Sequence, residues 1–270
     1  MTEEQRARFL ACFRGLEPQS IANPFLDRYR WVIEQACIGK LEHPDNDYAR
    51  MLARAGKSQL ETWFLTLSAQ FGHQAPNDES LRLCAKYGPL LSMGAGLAYV
   101  ECLLSRMGVQ VVPVDIKRGG FRSGCLPGLP VGSEFMIVLE GDETYVRDCP
   151  PGYNLLMWWP PPPIAAPPMA SNCVKFFRGD YLLYAGMPSM RTGDLEFHWM
   201  LRHEWKVKEE VLLPGTVETD ARLWVYERNP SAITLEGPAR VHALRRFEAS
   251  AEWQALVASL SAVLQGGTVQ

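Results

Sequence analysis

The feature that most constrains this chain is the stretch at residues 87–117, YGPLLSMGAGLAYVECLLSRMGVQVVPVDIK. Leu90 and Leu91 lead into a turn that holds Gly94 and Gly96. Apolar residues then recur at helical spacing and stop at a glycine, which is typical of a helix end: Val100, Leu103, Leu104, Met107 and Gly108. A run rich in valine follows and ends at Asp115. The pattern predicts a strand, a glycine turn, a helix and a second strand closed by an acid.

Such a unit directs backbone N–H groups and the start of a helix toward a ligand. An acid at the end of the second strand is well placed to accept a hydrogen bond from a ribose hydroxyl, and Asp115 lies nineteen residues beyond Gly96. The stretch therefore predicts a site for a nucleotide-like ligand. The alternative is a tight strand-to-helix turn without a ligand.

Composition narrows the class of protein. The chain has 270 residues and a formal net charge of -3, which does not favour a general nucleic-acid binder. No apolar run approaches the roughly 20 residues of a membrane span. The seven cysteines are scattered singly, with no Cys-x-x-Cys pair, so we expect neither a disulfide framework nor a metal site. The charged N-terminus lacks the apolar core of a secretory signal. We expect a soluble cytoplasmic protein without a membrane partner, and homo-oligomers are left open.

The order of segments predicts the architecture. Residues 1–86 read as three helices that form a cap over the sheet, the third running from Tyr48 to Phe71. Residues 87–230 read as an α/β core, in which strands alternate with helices until an antiparallel pair at 207–213 and 221–228. Residues 231–270 read as a helical extension. We expect an open, mostly parallel sheet with an antiparallel C-terminal edge, an N-terminal helical cap and a C-terminal helix.

The glycine turn distinguishes between ligand classes. In the G-x-G-x-x-G pattern of nicotinamide-binding proteins, the third glycine would fall at Tyr99, which is too bulky for close helix–strand packing. As G-x-G-x-(G/A), the residues Gly94, Gly96 and Ala98 resemble motif I of class I S-adenosylmethionine-dependent methyltransferases. The resemblance covers about residues 88–229 and implies that S-adenosyl-L-methionine is the cofactor.

The resemblance continues down the chain in the order of that family. Asp115 is similar to the ribose-binding acid, the segment Gly141-Asp142-Glu143 to the region near the adenine, and residues 154–161 to the substrate-facing fourth motif. It implies that the cofactor is bound by Ser92, Met93, Gly94, Gly96, Ala98, Asp115, Asp142, Glu143 and Trp158. It also implies a substrate-side loop of Trp159, Pro160 and Pro161.

Two residues depart from the family pattern. Ser92 replaces the acid that often starts motif I and helps to hold the methionine amino group. Trp159 stands where amino-group methyltransferases carry an amide or carboxylate, and an indole cannot accept the hydrogen bond of the reacting nitrogen. A further candidate is His73, which lies in a loop before the sheet and could reach the site from the cap.

Three functions remain. The first is methyl transfer to a small-molecule acceptor enclosed by the cap and the proline loop at residues 160–168. The second is a catalytically silent member of the fold that binds a ligand or a partner. The third is an NAD(P)-dependent oxidoreductase, which Tyr99 disfavours. The acceptor itself cannot be read from the residues.

Overall fold

The computed structural model describes residues 2–116, 134–162, 168–187, 192–216, 220–232, 235–251, 253–255 and 258. The N-terminal part contains helices α1 (Glu3–Ala11), α2 (Pro24–Cys37), α3 (Asp47–Arg54), α4 (Gln59–Phe71) and α5 (Asp78–Lys86), with a short strand β1 (Phe13–Arg14) after α1. We call residues 1–86 the helical cap.

The rest of the described chain alternates strands and helices. Its strands are β2 (Leu90–Met93), β3 (Val111–Asp115), β4 (Leu139–Glu140), β5 (Asn154–Trp158), β6 (Tyr181–Gly186), β7 (Trp205–Leu212), β8 (Gly215–Thr216) and β9 (Arg222–Arg228). Its helices are α6 (Tyr99–Arg106), α7 (Met169–Phe176), α8 (Leu195–His203) and α9 (Gly237–Glu248), and Glu143–Val146 form a 3₁₀ turn.

Seven of these strands form one sheet in the order β4-β3-β2-β5-β6-β9-β7. The first five pair in parallel, whereas β9 pairs antiparallel with both β6 and β7. The predicted fold class is therefore confirmed, including the antiparallel edge. The chain runs outward from β2 to β4 and then returns to β5 on the other side of β2. The carboxyl ends of β2 and β5 thus form the switch point at which open α/β sheets bind ligands.

The helices and strands of the cap differ in part from those that the sequence predicts. The segment Tyr48 to Phe71, expected to be one helix, is two helices, because Gly56 has φ +79° and Ser58 starts a new helix with a capping box to Glu61. Helix α5 was not predicted; Asn77 caps it through the Ser80 amide. Strand β1 pairs with β8 in a separate two-stranded sheet, so a strand does precede β2.

Smaller differences concern the ends of elements. The sequence predicts a helix from Leu195 to Trp205, but Trp205 begins β7. It also predicts a strand over the apolar run at 135–139, of which only Leu139 is in a strand. The irregular segment after Asp115 lies, from residue 117 to 133, outside the described residues, as do residues 163–167 of the proline loop. Within the C-terminal extension the sequence predicts one or two helices over 237–265, and the structure describes α9 from Gly237 to Glu248.

The cap and the sheet share one hydrophobic core. Phe25 and Leu26 of α2 and Leu67 of α4 belong to the same buried cluster as Leu156 of β5 and Leu183 of β6. The cap covers one face of the sheet, and helices α7 and α8 pack against a second cluster on the other face.

Tyr99, the first residue of α6, links the cap to the glycine turn. Its hydroxyl donates to Asn23 Oδ1 over 2.8 Å and accepts the Phe25 backbone N–H over 3.1 Å. Asn23 is itself the N-cap of α2 and donates through Nδ2 to the Pro76 carbonyl. The bulky side chain at the third-glycine position therefore anchors the cap beside the turn.

Replacing Tyr99 by phenylalanine should destabilise the protein by about 1–3 kcal/mol, because it removes two buried hydrogen bonds and keeps the ring. Chemical denaturation measures the change. Tyr153→Phe is the matched control: its hydroxyl accepts from the Gln110 amide near the surface, and we expect a change within about 0.5 kcal/mol. Equal effects of the two variants would contradict this role for Tyr99.

Candidate active site

The turn between β2 and α6, residues 94–98, has an unusual backbone. Gly94, Gly96 and Ala98 all adopt positive φ values, of +74°, +57° and +53°. The amides of Gly94 and Ala95 both donate to the Val114 carbonyl, at 2.9 and 3.1 Å, which fixes the turn against β3. A Cβ atom built on Gly96 would meet nothing within 4 Å, so the backbone there is open to an approaching group. We call residues 94–98 the glycine turn.

Asp115 lies at the end of β3, beside the glycine turn. Its Oδ2 accepts the Gly96 N–H over 2.9 Å, and the residue is largely buried. The Gly141 amide donates to the Asp115 carbonyl over 2.9 Å, which brings the end of β4 alongside. The structure thus brings Gly96, Asp115 and Gly141 together at one edge of the sheet.

The two acids after β4 have partners of their own. Asp142 is exposed and caps the 3₁₀ turn by accepting from the Thr144 amide and hydroxyl, which hold its pKa below the usual value. Glu143 accepts from the Asn172 side chain of α7 over 2.9 Å. Both acids therefore have structural roles at the position that the sequence indicated.

Ser92 has an acidic partner that the sequence did not reveal. Its hydroxyl donates to Glu101 Oε1 over 2.5 Å, and both residues are buried. Glu101 lies in the first turn of α6. Its pKa is raised to about 7 in all, mainly by burial and in smaller part by the nearby Asp115, against the opposing effect of the hydrogen bond from Ser92. A carboxyl group is therefore held next to β2 although the motif itself has none.

The other predicted residues divide between the core and the end of β5. Met93 is buried in the cluster on the α7 side, so its side chain packs instead of lining the edge. Trp158 donates its indole N–H to the Gln74 carbonyl of the cap over 3.0 Å. Trp159 has φ +62°, and its amide donates to the Ala185 carbonyl over 2.7 Å. The Pro160 carbonyl accepts from the Gly193 amide, and Pro161 is half-buried.

A cavity of about 370 Å³ opens between the cap and the carboxyl ends of β5 and β6. Helices α2 and α4 form one wall, residues 73–75 a second, and residues 214–216 with Ala221 a third; Trp159 and Met187 lie at its base. We call it the cap cavity. Trp159 directly follows β5, which pairs with β2, so the cavity and the glycine turn lie at neighbouring strand ends.

The sequence alone did not assign three residues near this edge to the site. Glu101 was not singled out, although a glutamate three residues before Leu104 on the apolar side of a helix is a signal of a buried acid. Tyr29 and His73 line the cap cavity. Their positions depend on how the cap docks, which no local pattern indicates.

Among the described residues, no helix is long and apolar enough to cross a membrane. No group of three or more His, Cys, Asp or Glu side chains is arranged to hold a metal ion within the described ranges.

Comparisons with known proteins give structural likeness without sequence matches. Neither a family model nor a curated sequence matches the chain. Among solved structures, magnesium protoporphyrin IX methyltransferase from Synechocystis, with bound S-adenosylmethionine, is similar over 85% of this chain and 92% of its own, at 13% identity and a TM-score of 0.37. A protein of Streptococcus pneumoniae in complex with S-adenosylmethionine, provisionally assigned as a tRNA (m1A22) methyltransferase, is similar over 70% and 98%, at 14% identity and a TM-score of 0.36.

A protein of the NADB-Rossmann superfamily from Streptococcus agalactiae is similar over 68% of this chain and 84% of its own, at 16% identity and a TM-score of 0.36. The strand order of the chain, with five parallel strands followed by an antiparallel pair, is class I methyltransferase-like.

Glu101→Gln should change how stability depends on pH. A carboxyl group whose pKa is raised in the folded state contributes stability at low pH that is lost as the pH rises through about 7. Glutamine lacks this titration. The variant should therefore gain about 1–3 kcal/mol relative to the unsubstituted chain between about pH 5 and pH 8.

Denaturant unfolding at several pH values measures the difference. The exposed Glu79 of α5 provides the control, since Glu79→Gln should leave the difference nearly constant with pH. A flat difference for Glu101→Gln would show that the buried carboxyl group is not protonated more easily in the folded protein.

Proposed function

We propose that this chain transfers a methyl group from S-adenosyl-L-methionine to a small-molecule acceptor. The observation that carries the proposal is the glycine turn. Three of its residues have left-handed backbones, it opens a helix at the switch point of the sheet, and the acid of the neighbouring strand bonds to its Gly96 amide. Left-handed residues without bulky side chains let a ligand approach the backbone and the start of the helix closely.

The donor would bind along the edge formed by β2, β3 and β4. Asp115 would accept hydrogen bonds from the ribose hydroxyls, and Asp142 and Glu143 would lie beyond it toward the adenine. When bound, S-adenosyl-L-methionine supplies an electrophilic methyl group attached to a positively charged sulfur. Gly94, Gly96 and Ala98 provide the surface against which the donor lies.

Glu101 takes the part of the missing motif I acid in this proposal. Its carboxyl group is buried against Ser92, two residues before Gly94, and a buried carboxylate is stabilised by a cationic partner. The ammonium group of the donor is such a partner. Ser92 would orient the carboxylate through its hydroxyl, so the pair together replaces one acidic residue.

The acceptor would occupy the cap cavity. Trp159 at its base follows β5, the neighbour of β2, and Met187 follows β6, the next strand of the sheet. Methyl transfer depends mainly on holding the nucleophile in line, and a fixed cavity supplies that orientation. His73, on the cavity wall, would receive the proton that the acceptor loses. Pro160 and Pro161 give the substrate-side loop a stiff start.

Calorimetric titration with S-adenosyl-L-methionine, S-adenosylhomocysteine and NAD tests the proposal. We expect both sulfur ligands to bind and NAD to bind weakly or not at all, because Tyr99 occupies the third-glycine position. A silent member of the fold would bind the donor without producing methylated acceptor. A folded protein that binds neither sulfur ligand would refute the proposal.

Asp115→Ala should weaken binding of S-adenosylhomocysteine at least about tenfold, since it removes the charged acceptor proposed for the ribose hydroxyls. The exposed Asp45 of the cap is the control, and Asp45→Ala should bind as the unsubstituted chain does. Melting temperatures of both variants confirm folding. Unchanged affinity in a folded Asp115→Ala variant would mean that this acid does not contact the ligand.

Donor binding should also release a proton from Glu101. A cation near this carboxyl group favours its charged form, which lowers a pKa that burial has raised to about 7. Calorimetry at about pH 7 in two buffers of different ionisation enthalpy counts the protons released. Release should be lost in Glu101→Gln and kept in Glu79→Gln; proton release that persists in Glu101→Gln would contradict the assignment.

A further inference from the structure

Four aromatic side chains, Phe25, Tyr29, Phe64 and Trp159, contribute to the described lining of the cap cavity. The rings of Tyr29 and Phe64 are stacked, with centroids 4.8 Å apart and planes 18° from parallel. Phe25 is stacked in the same way on Phe71, at 5.1 Å and 11°. Trp159 adds an indole at the base. An aromatic lining of this kind favours a planar, apolar guest, because an aromatic guest gains contact area and ring–ring contacts there.

The described lining of the cavity is poor in side chains that carry a permanent charge. Among the described residues that line it, none is Asp, Glu, Lys or Arg. Tyr29 and His73 are its titratable residues in that set, and burial raises the pKa of Tyr29 to about 12, which keeps its phenol neutral. A charged ligand would lose its hydration here without gaining a counter-charge, and that loss is costly.

Hydrogen bonds hold the walls in place. Gln74 donates through Nε2 to the Pro214 carbonyl over 2.7 Å, and its own carbonyl accepts the Trp158 indole N–H. These bonds tie residues 73–75 to the segment at 214–216 and to the end of β5. Ser68, Gln74 and Thr216 add neutral polar side chains to the lining. A volume of about 370 Å³ lies at the small end of cavities that hold small organic molecules.

We infer that the cap cavity binds an uncharged, planar and largely apolar small molecule that carries a single protic group. Neutral polar side chains orient that group, and the aromatic walls hold the ring system. The role of this molecule as methyl acceptor rests on the proposed function, whereas its binding does not.

Equilibrium dialysis with 2-naphthol and 2-naphthoate tests the inference. The two probes share a ring system and differ in charge. We expect 2-naphthol to bind, and 2-naphthoate to bind at least about tenfold more weakly because its carboxylate would be desolvated. Absent binding of 2-naphthol, or equal binding of the two probes, would overturn the assignment.

A cavity-filling variant locates the site. Ser68→Trp on α4 places an indole in the cavity and should weaken 2-naphthol binding at least about tenfold. Leu65→Trp on the same helix is the control, because Leu65 is 37% exposed and does not line the cavity; its affinity should be unchanged. If Ser68→Trp does not fold, Thr216→Trp on the opposite wall replaces it. Undiminished binding to a folded cavity-filling variant would overturn the assignment.

Two further measurements separate this inference from the proposed function. Ser68→Trp should bind S-adenosylhomocysteine as the unsubstituted chain does, because the donor edge is formed by other residues. If 2-naphthol binds and the sulfur ligand does not, the proposed function fails and the cavity assignment stands. If the sulfur ligand binds and 2-naphthol does not, the cavity assignment fails alone. Displacement of bound 2-naphthol by transfer RNA would overturn the small-molecule assignment in favour of a nucleic acid.

Discussion

The backbone of the glycine turn is the constraint on which the functional edge depends. Three of its five residues lie in the left-handed region, which costs little for glycine and more for alanine. The conformation is held by three hydrogen bonds from the turn to β3. The Val114 carbonyl accepts from two backbone amides, and the Asp115 side chain accepts from a third. The same bonds bring an acid to the edge and direct the start of α6 outward. Stability and the proposed donor site therefore share a small set of contacts.

The cap extends this arrangement to a second compartment. Tyr99 opens α6 and holds α2 through two hydrogen bonds, so the turn that would bind the donor also positions the aromatic wall of the cavity. On another side of the cavity, the Gln74 side chain donates a hydrogen bond to the Pro214 carbonyl in the segment after β7. The cap cavity thus lies next to the glycine turn because the cap is tied to α6. Tyr99, whose bulk disfavours a nicotinamide site, therefore has a structural role in holding the cap.

Local patterns predicted the sheet well because its signals are local. Glycine turns, valine-rich strands and the prolines after Trp159 bias the backbone wherever they occur, and they gave β2, α6, β3 and β5 in order. The break at Gly56, helix α5 and the cavity depend on packing between distant segments, which periodicity does not record. Glu101 illustrates what the sequence does not reveal. Because Ser92 replaces the acid of motif I, that acid appeared to be missing, and only the folded chain shows the Glu101 carboxyl group beside Ser92.

Amide hydrogen exchange with and without S-adenosylhomocysteine tests the central claim most directly, because it locates the ligand without a substitution. The account predicts slower exchange in peptides that cover the glycine turn, the end of β3 and residues 139–143. Exchange in the exposed helix α1 should not change. Binding without protection of the glycine turn, or protection confined to other parts of the chain, would contradict the account.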